Sequence, residues 1–137
     1  MADLSITAAS VLKGTGAVTS NGTAGATITA GQTLYIDTSD SNKLKLFDAN
    51  ASATTSVLAG VALHGASSGQ PISYQTAGPI TIGATVALGT IYIGSATAGG
   101  IAPSSDLASG WYTNILGVAT STSVITININ ASAALVP

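Results

Sequence analysis

The chain has 137 residues, 6% of them charged and 46% hydrophobic, which is enough for one domain with a core of its own and short for two. Three lysines, no arginine and no glutamate are too few cations to displace counterions from nucleic-acid phosphates or to settle on an anionic membrane. No apolar run nears the roughly 18 residues of a spanning helix, and without cysteine there are no disulfides and no thiolate chemistry.

The absence of cysteine fits synthesis in a reducing cytoplasm, and Met1-Ala2-Asp3-Leu4 lacks the basic start and long apolar core of a signal peptide. The chain is too hydrophobic and too weakly charged to be disordered. Its solubility must come from hydroxyls and amides, and a net charge of −2 gives little repulsion against self-association.

Residues 2 to 12 begin by alternating, with Leu4 and Ile6 against Asp3, Ser5 and Thr7, the period of a short strand. Lys13-Gly14-Thr15-Gly16 breaks that pattern, and Ser20-Asn21-Gly22 reads as a further turn. A lone terminal strand on a Gly-rich tether must pair with its own sheet or with another chain. Residues 1–20 are therefore expected to be an arm and tether, and 21–137 one all-β domain.

Thr33 to Asp37 alternates, with Leu34 and Ile36 on one face. Thr38 to Asn42 turns, and Lys43 to Asp48 resumes with Leu44 and Leu46 inward and Lys43 and Lys45 outward. This is a β-hairpin whose loop residues hydrogen-bond their own backbone. Leu58 to His64 is a nearly unbroken apolar run, as in a strand covered on both faces, and Gly60 within it marks a bulge or a close backbone approach. After the turn Ser67 to Pro71, Ile72, Tyr74 and Thr76 alternate with Ser73 and Gln75.

Further strands are expected at Ile80 to Ile82, Thr90 to Gly94, Trp111 to Ala119 and Ser123 to Asn130, with a short helical turn at Asp106 to Ala108. In the last strand Ile125, Ile127 and Ile129 face inward. The tail Ala131 to Pro137 has no polar anchor.

Two stretches recur. Gly25-Ala26-Thr27-Ile28-Thr29-Ala30-Gly31-Gln32-Thr33-Leu34-Tyr35-Ile36 returns, one residue shorter, from Gly83 to Ile93. Leu58-Ala59-Gly60-Val61-Ala62 is answered by Ile115-Leu116-Gly117-Val118-Ala119. Two echoes in the same order argue for an internal duplication, with repeats near 25–77 and 83–131. Strand content, glycine turns and short spacing predict a small β-sandwich or barrel built from two similar β units. Small Ala and Ser side chains bury little area, so packing identical subunits together would add burial.

Candidate chemistry is sparse. Gly65-Ala66-Ser67-Ser68-Gly69 matches the nucleophile-elbow pattern beside His64. That pattern requires a strand-turn-helix context with the histidine on a later, separate loop, so Ser67 reads as a turn residue and His64, the sole histidine, as a strand-end hydrogen-bonding group. Asp37, Asp40 and Asn42 lack the spacing of a calcium loop and read as hairpin-turn residues. Lys13-Gly14-Thr15-Gly16 lacks the Gly-Lys-Ser/Thr ending of a phosphate cradle. Two catalytic carboxylates of a glycosidase would have to come from five aspartates lying mostly in turns. Asn21-Gly22-Thr23, Asn50-Ala51-Ser52 and Asn130-Ala131-Ser132 fit the glycan-acceptor pattern, which has no role without secretion. The adjacent Trp111 and Tyr112 read as core or subunit interface. No catalytic residue, cofactor or metal is assigned.

The start Met1 to Val11, the segment Gly22 to Gln32, and Gly69-Gln70-Pro71 leading to Ile80-Thr81-Ile82-Gly83-Ala84-Thr85 resemble small virion proteins of tailed bacteriophages. More specifically, the chain is similar to head decoration, or cement, proteins. The resemblance implies a β-rich homotrimer on the capsid exterior that clamps adjoining major capsid proteins and carries no catalytic residue. It implies an N-terminal arm reaching the shell, with Leu4, Ile6, Val11 and Leu12 as its apolar contacts. A rival expectation is a receptor-binding or tail-fibre β module that binds host glycan through exposed aromatics such as Trp111.

Overall fold

A computed structural model describes residues 3–50 and 57–136. Met1, Ala2, and Ala51 and Ser52 of the Asn50 acceptor pattern lie outside the described residues.

The fold is all-β: ten strands form one antiparallel sheet curled into a half-barrel. The strands are β1 Val11–Lys13, β2 Val18–Thr23, β3 Thr33–Asp37, β4 Lys43–Leu46, β5 Gly60–Ala62, β6 Pro71–Ile82, β7 Ile91–Gly94, β8 Ile101–Pro103, β9 Tyr112–Ala119 and β10 Val124–Leu135. Short 3₁₀ turns cover Ala8–Ser10 and Ser104–Asp106.

The order along the sheet is β4-β3-β5-β6-β10-β9-β7-β8. Read inward from its two edges it runs β4-β3-β5-β6 and β8-β7-β9-β10. The registers are offset by one residue: Leu34 faces Gly60 across β3 and β5, whereas Ile91, its counterpart in the repeated motif, faces Val118 across β7 and β9.

The long strand β6 is the spine. Gln75 has Thr19 of β2 on one side and Val61 of β5 on the other, while Ala77 lies between Val18 of β2 and Asn128 of β10. Thus β1 and β2 run end to end along one side of β6, and β5 and β10 along the other. The changeover falls at Ala77-Gly78-Pro79. Gly78 has φ +90°, a conformation that disfavours a side chain, and Pro79 brings no N–H to the ladder. The fully buried Gln75 amide nitrogen faces the carbonyls of all three residues, at 3.1, 3.0 and 2.9 Å. Gln75, which alternates with Ile72 and Tyr74, is buried as they are, and its amide supplies the donor that those carbonyls need.

Two apolar clusters fill the fold. A small one gathers Ala24, Ile28, Leu34, Leu44, Ala62, Ala66, Ile72 and Tyr74, where Ala24 of the chain leaving β2 bridges to Leu44 of β4. The larger one draws Phe47, Leu58 and Val61 from the first half of the chain and Ile80, Tyr92, Ile101, Leu116, Ile125 and Ile127 from later strands. Both halves therefore share one core.

Several expectations change. Asn21-Gly22 is not a turn but lies inside β2, opposite Ser73 and Ile72; a Cβ on Gly22 would come within 2.6 Å of Leu44 Cδ1. Ile36, next to the turn of its hairpin, is exposed, whereas Thr33, Leu34 and Tyr35 are buried. The tail is anchored after all, since β10 continues to Leu135 and pairs with Tyr112 and Thr113. The extended arm is not what is seen: residues 3–10 lie back on the body, and β1 and β2, which begin within the first twenty residues, pair with β6. Folding back brings Leu4, Ile6 and Val11 onto the chain's own larger core, which removes apolar surface from water.

Candidate functional site

The N-terminal segment docks as a strap. Leu4 N–H donates to Ile101 O at the edge of β8 (2.8 Å), and Thr7 N–H donates to Gly83 O just past β6 (2.8 Å). Asp3 Oδ1 accepts from Ser95 Oγ at 2.7 Å. The floor beneath the strap is cut to its shape by three glycines far apart in sequence. A Cβ at Gly31 would lie 2.6 Å from Ile6 Cγ2, one at Gly100 2.6 Å from Asp3 Oδ2, and one at Gly83 would strike Thr7 O. At Gly83 the obstacle is strap backbone, which cannot turn aside; at Gly31 and Gly100 a side chain would force Ile6 or Asp3 to shift. A groove of about 380 Å³ follows it, lined by Asp3, Leu4, Ile6, Thr29, Gln32 and Thr97 among others.

Asp3 also borders a second, more open cleft of about 630 Å³. Its other walls are Ser95, Ala96 and Thr97 between β7 and β8, Ser105 and Asp106 of the second 3₁₀ turn, and Trp111. Trp111 is half-buried and packs on the larger core, and its backbone is fixed from both sides: its N–H donates to Ala108 O (3.2 Å) and its carbonyl accepts from Val136 N–H (2.8 Å). The cleft thus sets one aromatic ring beside hydroxyls and two carboxylates.

Of the residues singled out from sequence, Leu4 and Ile6 come together with Trp111 around these joined clefts. Val11 is 6% exposed and part of the core, so it offers no free surface. Leu12, its neighbour on β1, is 63% exposed. Tyr112 is half-buried and donates its N–H to Ala49 O at 2.7 Å. Asp3, Ser95 and Thr97 were not singled out, because their only sequence signature is a common residue type in a loop.

His64 has both ring nitrogens engaged: Nδ1 lies 2.9 Å from Gly65 O, and Nε2 accepts from Ser73 N–H at 3.0 Å. The second bond fixes Nδ1 as the protonated nitrogen. Ser67 opens a turn closed by Gln70 N–H to Ser67 O (3.0 Å), and a strand follows instead of the helix a nucleophile elbow needs.

Half of the eight charged residues meet at the tip of the β3–β4 hairpin. Lys45 Nζ sits 2.8 Å from Asp37 Oδ2 and 3.0 Å from Asp40 Oδ2, with Lys43 3.8 Å from Asp40. Among the described residues no cluster of three or more metal-ligating side chains occurs. The Lys45 ammonium, helped by the hydroxyl and N–H of Ser39, holds the Asp37 carboxyl down from 3.8 to about 2. Asp37, then Asp40, in turn pushes Lys45 above its usual range. A depressed carboxyl stabilises the fold above its ordinary value and loses that contribution as pH falls through the folded one. The wild-type urea midpoint is therefore expected to fall between about pH 4 and pH 2 more steeply than that of Asp37→Asn, with the two converging near pH 2. Parallel curves across that range would show that the pair contributes nothing.

The remaining surface carries isolated apolar groups. Leu12 and Val18 lie on β1 and β2. Ile91 and Val118 are cross-strand partners on β7 and β9, and Leu88, 69% exposed, stands in the turn just before them. Ile36, Val57 and Ala59 line a third, mostly apolar groove with Thr38.

The chain matches no protein-family model, no curated protein and no solved structure.

Proposed function

We propose that the chain is a structural virion protein of the head-decoration type. In this reading it is no enzyme, binds no cofactor, nucleic acid or membrane, and acts on the capsid exterior after synthesis in the host cytoplasm. Its partners are the major capsid protein and, as a homotrimer, itself. One observation carries the reading: exposed apolar side chains, Leu12, Val18, Leu88, the cross-strand pair Ile91 and Val118, and Ile36 and Val57 in one groove, stand on a β body with few charges. A subunit held between neighbours buries such side chains and removes their apolar surface from water. A modest contact at each site becomes strong when three subunits are tied together over a repeating shell. Binding only the mature lattice then raises its resistance to rupture by linkage.

The test is co-sedimentation of purified protein with bare mature heads and, separately, with host cells. Retention on heads, weakened by Leu12→Asp or Leu88→Asp, is the expected result. Retention on cells alone would overturn the reading.

The Trp111 cleft favours a second reading, a module that recognises host-surface glycan. A ring edged by carboxylates and hydroxyls matches what sugars present, an apolar face and a rim of donors and acceptors. Trp111 is the sole tryptophan, so its fluorescence reports occupancy directly. A saturable change on titration with host-surface polysaccharide, absent in Trp111→Ala, would support the glycan reading over the capsid one.

A further inference from the structure

We propose that the N-terminal strap is exchangeable: the slot that holds residues 3–7 takes the same segment from a second copy of the chain, linking subunits of the assembly. The inference rests on the self-association proposed above and deepens it by naming the contact.

The slot is built for this segment. Three glycines from distant parts of the chain, Gly31, Gly83 and Gly100, each lack a side chain where Ile6, Thr7 or Asp3 sits. The chain's own backbone supplies Ile101 O and Gly83 O as acceptors for Leu4 and Thr7. A second copy presents the identical segment, so every strap contact made within one chain is reproduced between two.

The strap is also separable from the body. Leu4, Ile6 and Ala8 pack only partly buried against a core that strand residues fill. The strap joins β1 through the Ala8–Ser10 turn, which has no buried residue, and whose bonds are Ser10 N–H to Thr7 O and Val11 N–H to Ala8 O. Opening it exposes two backbone pairs to water, a small net loss. With residues 3–7 seated in the neighbour's slot, Ala8 to Ser10 form the bridge, and the four links from Thr7 to Val11 reach roughly 13 Å when straightened, so Val11 stays in the core and exchange takes place between slots that lie side by side. Exchange therefore keeps the slot contacts and adds a tether, the familiar low-cost route to association between identical chains.

The experiment uses full-length chains. A photoreactive diazirine analogue of leucine, nearly isosteric, replaces Leu4 in chains of natural isotope content. These are mixed in equal amounts with unmodified ¹⁵N chains, unfolded and refolded together, and irradiated. Products joining position 4 to the peptide around Ile101 are sorted by mass. With full exchange, about half of them are mixed-isotope, the statistical share for identical subunits. Intact-oligomer mass is measured on the same sample. An oligomer that yields only same-isotope products overturns the exchange and leaves the proposed assembly standing. A monomer overturns both.

Discussion

Phe47→Ala is expected to destabilise the fold by about 3–5 kcal/mol, the usual cost of emptying a large buried aromatic site. Phe47 is the only phenylalanine and is fully buried. It enters the larger core from the end of β4 and meets residues of the second half of the chain there. A Cβ on Gly94 of β7 would strike its ring, so β7 is shaped around it. The backbone cannot slide inward to close the hole, because Phe47 N–H donates to Thr33 O (2.9 Å) and Phe47 O accepts from Gly99 N–H (2.7 Å). Neighbouring core residues are mostly Ala, Val, Ile and Leu, too short to refill a ring-sized space. Urea denaturation provides the measurement, with the slope checked for constancy so that the midpoint reports stability alone. A loss below about 1 kcal/mol would mean that the site collapses freely and that Phe47 does not bind the two halves together.

The second large effect is expected at Gly117. It pairs with Tyr92 of β7 and with Ile127 of β10, and a Cβ there would strike the carbonyl oxygen of Thr126. The obstacle is backbone in a paired strand, so it cannot rotate away as a side chain would. Gly117→Ala should cost about 3 kcal/mol, the upper end for overpacking. Gly60 holds the matching place on β5, where a Cβ would lie 2.6 Å from Gln75 O, and Gly60→Ala should behave alike. Gly69→Ala is the control: nothing stands within 4 Å of its Cβ, but its φ is +89°, so only the left-handed penalty of roughly 1–2 kcal/mol applies. Thermal unfolding of the three variants separates steric conflict from backbone strain. Equal losses at all three would remove the close-approach explanation.

These glycines show where local signals suffice. Gly60 stands out because it interrupts an apolar run, and such an interruption in a strand implies close approach of another backbone. The doubled motif pointed to its counterpart Gly117. The hairpin of β3 and β4 was legible for a similar reason, since its turn residues bond their own backbone and owe nothing to distant parts of the chain. Asn21-Gly22 misled by the same token: a local turn preference lost to the pairing that β6 offers across the whole of β2.

The candidate site was legible only in pieces. Leu4, Ile6 and Trp111 stood out as apolar or aromatic residues at suggestive positions, but nothing in their spacing places Asp3 next to both Ser95 and Trp111. That neighbourhood exists because the strap runs along the edge of β8, more than ninety residues away.

By itself, the sequence determined the all-β class, the strand periods, the doubled motif and the scarcity of charge, because each depends on residue type and near-neighbour spacing alone. Tertiary structure decided which side of β6 each strand takes, that Gln75 turns inward to serve three carbonyls, and that the N-terminus lies in a slot rather than reaching outward. Those outcomes depend on contacts between residues far apart in the chain, where the surface that most favours a segment exists only after the rest has folded.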